Sequence, residues 1–281
     1  MPVAQISVDI SRSNGAPDDP PPDRSRHPNT CPVCRSHYRD DELRANLRVC
    51  GHCGHHFGVG ARERIAQLCE PGSFVEHAED LRSADPLVFA DLKPYVDRIA
   101  EAELATGLGD AMVVGTGVIR GQPCALAVMD FAFMGGSMGS VAGEKLAVDA
   151  DLACDHGVPL VTVASSGGAR MQENILALMQ MAKTVVSVDQ VHDAALPYVS
   201  VIAHPTTGGV IAAVAALGDV VLAEPGALMS FAGPRVVEQT TRERLPDDFG
   251  RAEANLRLGH VDQVVPRRDL AETLGRLLAL L

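Results

Sequence analysis

Two pairs of adjacent glycines are the chemically suggestive feature of this 281-residue sequence. Gly167-Gly168 follows an apolar run at 160–164 and the hydroxyl pair Ser165-Ser166. Gly208-Gly209 follows a second apolar run at 196–203 and the segment His204-Pro205-Thr206-Thr207. Apolar, β-branched runs of that length read as buried strands, with the strand ending at each of these polar segments. A helical period resumes after each pair, at Ala169 and over 210–217. Glycine lets a backbone N–H approach a ligand closely, and a helix starting just beyond adds unpaired N–H donors and the positive end of its dipole. The recurrence, about forty residues apart, predicts two sets of main-chain donors that hold two developing oxyanions. Each unit alone is also an ordinary strand-to-helix turn; hydroxyl residues beside both pairs favour a cleft.

A second constellation is Cys31-Pro-Val-Cys34, fifteen residues, then Cys50-Gly-His-Cys53. Two CxxC knuckles at this spacing put four thiolates around one tetrahedral zinc ion. With all four positions filled by sulfur, the metal is expected to be structural and not catalytic. His37, His52, His55 and His56 lie nearby, but the four-cysteine set needs no substitute. Cys69, Cys124 and Cys154 sit in apolar or helical contexts and read as inert buried thiols.

Catalytic side chains are scarce. No nucleophile elbow, phosphate loop or zinc-protease motif occurs. Ser165 or Ser166 with His204 as base would make a hydrolase, although serines at such turns more often cap the next helix. Arg170, expected in the first turn of the helix after Gly168, either meets a carboxylate or phosphate or pairs with Glu173 at i+3. What two main-chain donor sets can do unaided is steady two carbonyl oxygens while charge develops on them. Transfer of a carboxyl group from a urea donor to a thioester acceptor needs this, and needs no protein base if the departing donor takes the acceptor's proton.

The elements that position these residues follow from composition and periodicity. Hydrophobic residues make up 46% and aromatics only 4%, without tryptophan, so the core is built from small aliphatic side chains. The net charge of −12 argues against a protein that coats nucleic acid or anionic membrane. No apolar run is long enough to span a bilayer, and the acidic N-terminus is neither a secretory signal nor a transit peptide, so a cytoplasmic location is expected. Residues 1–30, rich in Pro, Asp and Ser, read as a disordered leader. Helices are predicted over 61–70, 94–106, 141–156, 233–244, 249–258 and 268–281, the last with a leucine stripe. Strands are predicted over 111–120 and 123–131, joined at Gly121-Gln122 as a hairpin, and over 219–224, 227–231 and 260–265. The loop Phe133-Met-Gly135-Gly136-Ser137-Met-Gly-Ser140 suits a flexible acyl or pantetheine-like ligand. The β/α alternation after the hairpin predicts a layered α/β core.

Several motifs together resemble one family. After the four-cysteine ribbon come DFAFMGGSMGS (130–140), SSGGARMQE (165–173), LMQMAKT (178–184), PTTGGV (205–210) and FAGPRVVEQT (231–240). These resemble the β subunit of bacterial acetyl-CoA carboxylase carboxyltransferase over residues 31–267. The resemblance implies a crotonase-like spiral of ββα units over 57–281 behind a zinc ribbon at 31–56. It implies an α subunit of similar fold, an α2β2 assembly, and an active site formed between the two chains. It also implies a biotin carboxylase and biotin borne on a separate carrier protein, with carboxyl transfer to acetyl-CoA giving malonyl-CoA. On this likeness Gly208 and Gly209 supply an oxyanion hole. Gly167, Gly168, Ala169 and Arg170 line the acyl-CoA side, and Gly135, Gly136 and Ser137 shape it. Where the family usually has Asp-Pro-Thr-Met, this chain has His204-Pro205-Thr206-Thr207, which leaves room for another acceptor. A stand-alone decarboxylase or hydrolase acting on thioesters, with His204 as acid or base, is the alternative enzyme. A zinc-ribbon regulator that binds nucleic acid is the non-enzymatic one, and it leaves both glycine pairs without a role.

Overall fold

The computed structural model describes residues 29–281, so the leader, apart from its last two residues, lies outside the described residues. The elements in order are α1 (Asp40–Ala45), α2 (Ala61–Leu68), β1 (Val75–His77), α3 (Tyr95–Thr106), β2 (Met112–Ile119), β3 (Gln122–Met129), α4 (Ser140–His156) and β4 (Leu160–Ser166). They continue with α5 (Ile175–Asp193), β5 (Tyr198–Thr207), α6 (Gly209–Ala213), β6 (Val220–Ala223), β7 (Met229–Ser230), α7 (Pro234–Thr241), α8 (Ala252–Leu258), β8 (Gln263–Val264) and α9 (Arg267–Leu280).

Among the described residues all eight strands join one sheet in the order β1-β2-β3-β4-β5-β6-β8, with β7 added along the end of β5. The β2–β3 hairpin is antiparallel and turns at Arg120 and Gly121, whose φ values of +49° and +81° suit a two-residue turn. From β3 onward the pairings are parallel. Alternation along the strands sorts their side chains between two faces. Val113, Leu126, Val161, Val201 and Leu222 pack with Ile65 of α2 and Leu270 and Leu274 of α9. Met112, Val114, Ala127, Ala164 and Ile202 pack instead with Ala142 and Leu146 of α4 and Val210 of α6. Every residue of β4 is buried, which explains its unbroken apolar run. The expected leucine stripe of α9 is this packing face, with Leu270, Leu274 and Leu278 buried.

Three local expectations need correction. The helix after Gly168 does not begin at Ala169: residues 169–170 stay extended, a single 3-10 turn covers Met171–Glu173, and α5 opens at Ile175. β5 is not broken at His204. It continues to Thr207, because Thr206 pairs with Ser166 beyond a bulge at 203–205 in β5, and with Met229 of β7. The helix after Gly209 ends at Ala213, and a 3-10 turn at Ala215–Leu217 follows. Neither helix departure is visible in a sequence window: Met138, in a distant loop, bridges Ala169 and Arg170, and the Val214 carbonyl at the end of α6 accepts from the buried Tyr198 hydroxyl at 2.9 Å.

The ribbon docks on the sheet domain through charge. The buried Arg267 donates to the carbonyl oxygens of Leu47 (2.9 Å), Arg48 (3.2 Å) and Phe57 (3.0 Å) while pairing with Glu224 at 2.6 Å. Arg64 meets the same carboxylate at 2.7 Å. Burial opposes ionisation of Glu224, but the two guanidinium groups outweigh it and hold its pKa down to about 2.

Candidate active site

The two glycine pairs meet. A methyl group on Gly208 would lie 3.0 Å from the Gly168 Cα, and one on Gly168 would lie 3.4 Å from the Gly208 Cα. Both residues also have positive φ, +65° at Gly208 and +109° at Gly168, so glycine is required for conformation as well as for space. The β4–β5 pairing brings the two turns together, and the Thr207 hydroxyl ties them by donating to the Ser166 carbonyl at 3.3 Å.

The fate of each N–H group revises the expected donor sets. Gly167 N–H donates to the Gly135 carbonyl at 2.8 Å and Gly168 N–H to the Ser166 hydroxyl at 3.0 Å, so the first pair has no free donor. Gly208 N–H is shared between the Ser230 and Phe231 carbonyls at 3.3 and 3.0 Å. Gly209, the first residue of α6, has no acceptor for its N–H among the described residues. It is partly exposed, and Met181 of α5 packs against its Cα. Of the four glycines only Gly209, at the N-terminus of α6, keeps a free donor; just after the first pair the N–H of the partly exposed Ala169 also has no acceptor among the described residues. Ser230 and Phe231, whose carbonyls hold Gly208 N–H, also line a cavity of about 490 Å³ together with Val237, Phe249 and Leu258.

The loop at 133–139 forms the floor beneath the first turn. Gly135 and Gly136 give their carbonyls to Gly167 N–H and to the Ser166 hydroxyl, the latter at 2.6 Å. Met138 N–H donates to the Gly168 carbonyl and its own carbonyl accepts from Arg170 N–H, a short parallel bridge that keeps Ala169 extended and partly exposed.

Arg170 does not reach into the cleft. Its side chain is 0% exposed and pairs with Asp110 at 2.6 Å, with Glu173 at 3.4 Å, and with Ser137 through both carbonyl (2.7 Å) and hydroxyl (3.1 Å). Burial disfavours its charge, but Asp110 outweighs this and raises its pKa above the ordinary value. Buried Tyr95, whose pKa burial pushes up to about 12, donates to Glu173 at 2.7 Å. The pairing with Glu173 was legible from the i+3 spacing. Asp110, Tyr95 and Ser83 were not, since nothing local marks them as partners of a residue 60 or more positions away.

The serine–histidine arrangement is not formed. The Ser165 hydroxyl donates to the His204 carbonyl at 3.4 Å and the Ser166 hydroxyl to the Gly136 carbonyl. His204 Nδ1 accepts the Leu228 N–H at 3.1 Å, leaving Nε2 to carry the proton. Partial burial, Arg251 and His55 lower its pKa, so the ring is neutral at pH 7.

Away from the cleft, the four ribbon sulfurs lie within 4.8 Å of one another, with Cys31–Cys53 at 3.6 Å and Cys34–Cys50 at 3.5 Å. Tetrahedral zinc with sulfur at about 2.3 Å needs sulfurs roughly 3.8 Å apart, so the set fits such an ion.

Residues 59–248 match the model of the carboxyl transferase domain. The acetyl-coenzyme A carboxylase carboxyl transferase subunit beta of Thermus thermophilus is 54% identical over 88% of this chain and 87% of its own length. This chain belongs to that family. As a carboxyl transferase it is an acyl-CoA enzyme component, and the relatives' subunit naming places it in a multi-subunit complex. Transcarboxylase 12S, solved with methylmalonyl-coenzyme A and methylmalonic acid bound, superposes with a TM-score of 0.67 at 30% identity, covering 80% of this chain and 42% of that one. The Pseudomonas malonate decarboxylase hetero-dimer superposes at 0.61 with 28% identity, over 79% of this chain and 86% of that one. Among the described residues no helix of this carboxyl transferase is long and apolar enough to cross a membrane.

Proposed function

We propose that the chain is the β subunit of a biotin-dependent acetyl-CoA carboxylase carboxyltransferase, working with an α subunit in an α2β2 assembly. Its carboxyl donor is charged by a biotin carboxylase and carried on biotin attached to a separate protein. Carboxybiotin would release its carboxyl group as CO2, and the biotin anion left behind would take up the acceptor's proton. The observation that carries the reading is the unspent Gly209 N–H at the N-terminus of α6. This N–H is free to donate to a carbonyl oxygen as that oxygen becomes negative.

The remaining glycines shape the site and do not donate. Gly168 and Gly208 allow the two turns to touch. Gly135, Gly136 and Ser137 hold the floor, and Gly167 and Ala169 present backbone edges to the acyl-CoA side of the cleft. The cavity lined by Phe231, Val237, Phe249 and Leu258 suits the organic arm of a substrate. With the donors of the first glycine pair spent, the Ala169 N–H and groups from the α subunit would hold a second oxyanion in an active site shared between chains. The ribbon cysteines Cys31, Cys34, Cys50 and Cys53 hold one structural zinc ion.

The test combines the chain with its α subunit and measures malonyl-CoA-dependent carboxylation of a free biotin derivative. Activity only with both chains present is the expected result. Thioester turnover by the chain alone, abolished in His204→Ala, would establish the stand-alone decarboxylase or hydrolase instead. Salt-dependent nucleic-acid binding without affinity for CoA esters would replace both with the regulator reading.

A further inference from the structure

We infer that Arg170 is a positioning residue for carboxyl transfer, holding the cleft floor and, through it, the aim of the Gly209 donor. The inference rests on the role of Gly209 proposed above. It starts from how completely the guanidinium is used. Nη1 shares its two N–H groups among Asp110 Oδ2 (2.6 Å), Ser83 Oγ (2.7 Å), Tyr95 Oη (3.2 Å) and Glu173 Oε1 (3.4 Å). Nη2 donates to Asp110 Oδ1 (3.1 Å) and the Ser137 carbonyl (2.7 Å), and Nε to Ser137 Oγ (3.1 Å). The Phe133 ring lies under the group, its centroid 5.5 Å from Cζ. One side chain thus ties five segments of the chain together, and only a planar fork has the donors to do it.

Two routes run from this fork to the cleft. The first passes through Ser137. Its loop fixes Gly135 and Met138, which bond Gly167 N–H, the Gly168 carbonyl and Arg170 N–H, and Gly168 abuts Gly208, the residue before the free donor. The second passes through Glu173. Its other oxygen accepts the Ser140 N–H at 2.6 Å, so the carboxylate caps the first turn of α4 and complements the dipole there. A methyl on Gly139 would collide with Glu173 Oε1, which shows how tightly this carboxylate is wedged against the loop. The pair Asp110–Arg170 is 0% exposed on both sides, so solvent does not loosen it. A buried ion pair of this kind is weak evidence for stability in itself. Its geometric consequence, a floor with two discrete anchors, is what a site built from main-chain N–H groups requires, because such donors have no side chain to readjust.

The test compares wild type, Arg170→Lys and Ser137→Ala in the complex with the α subunit. Lysine keeps the charge and the pairing with Asp110 but cannot also grip Ser137 twice. Expected for Arg170→Lys is a fall in kcat of about ten- to hundredfold with KM for acetyl-CoA changed little. Ser137→Ala, which removes one anchor, should show the same split more weakly. Amide exchange at Met138, Gly167 and Arg170 should quicken in both variants while that of the β2–β3 hairpin stays unchanged. A folded, assembled Arg170→Lys with wild-type kcat, or with unchanged exchange at those three amides, would overturn the inference. Should Arg170→Lys fail to fold, Ser137→Ala decides by the same readouts. Absence of carboxyl transfer in the wild-type complex would instead remove the proposed function, and the exchange measurement would still judge whether Arg170 holds the floor.

Discussion

Individual side chains in this protein are used in ways that depend on whether water reaches them. Asp149 of α4 is fully buried, and the backbone at Gly115 and Leu126 approaches its oxygens without making a well-formed hydrogen bond. Burial raises its pKa well above the ordinary carboxyl range; the backbone at Gly115 and Leu126 only partly offsets this. Because the folded pKa is the higher one, its contribution to stability is complete below the unfolded value of about 3.9 and is lost as the pH rises through the folded pKa. Asp149→Asn removes that loss. The melting temperature of the variant relative to wild type should therefore be more favourable at pH 8 than at pH 5. Equal differences at the two pH values would mean that Asp149 finds a partner in solution. His204 shows the opposite sense: a lowered pKa leaves it neutral at working pH, with Nδ1 already engaged by Leu228.

Among the elements, α5 has two unlike faces. Ala177, Gln180, Thr184, Ser187, Val188 and Val191 are buried, and the helix packs along α4. On the outer side Ile175 (56% exposed), Leu178 (53%), Met179 (60%) and Val186 (59%) form an apolar stripe, which Met171 extends past the helix start. Contiguous apolar surface of this kind marks an interaction site, and methionines adapt well to a partner's contours. The stripe lies on the helix that carries Met181 against Gly209, so a subunit seated there would border the cleft. Met179→Glu should leave the melting temperature of the isolated chain nearly unchanged and weaken binding to the α subunit by about tenfold or more. Titration calorimetry with the purified α subunit checks this, and undiminished affinity would place the α subunit on another face.

At the scale of the whole molecule, the ribbon and the sheet domain are joined by Arg64, Glu224 and Arg267. Removing the one carboxylate leaves two buried cations, and Glu224→Gln should cost about 3–5 kcal/mol in denaturant unfolding. The depressed pKa sets the acid limit: the carboxylate's contribution is present above the unfolded value of about 4.3 and lost as pH falls towards about 2. Glu224→Gln should lack that acid-dependent component. Metal should act through the same junction, since Arg267 grips carbonyls at residues 47, 48 and 57 of the ribbon and its edge. About one zinc per chain is expected by elemental analysis. Cys34→Ser should lower both that content and the melting temperature, and a fully folded wild-type chain free of metal would refute the zinc assignment.

What the sequence determined by itself was the part governed by neighbours along the chain. The CxxC spacing specified a four-sulfur cluster because each knuckle is a local turn. The unbroken apolar run of β4 announced a strand buried on both faces, and Gly121 marked the hairpin turn. The meeting of two strand–glycine turns was also legible, since both follow parallel strands of the same kind. The tertiary structure alone decided which N–H groups are free. Gly167 loses its donor to Gly135, and Gly208 to Ser230 and Phe231, partners 22 or more residues away. Only Gly209, at a helix start where no carbonyl lies four residues back within the helix, keeps its own. Arg170 was decided in the same way. Its residue type announced an anion, but whether that anion is a substrate or Asp110 depends on a contact spanning 60 positions. Hydrogen-bond partners are assigned by packing in three dimensions, and periodicity along one dimension does not encode them.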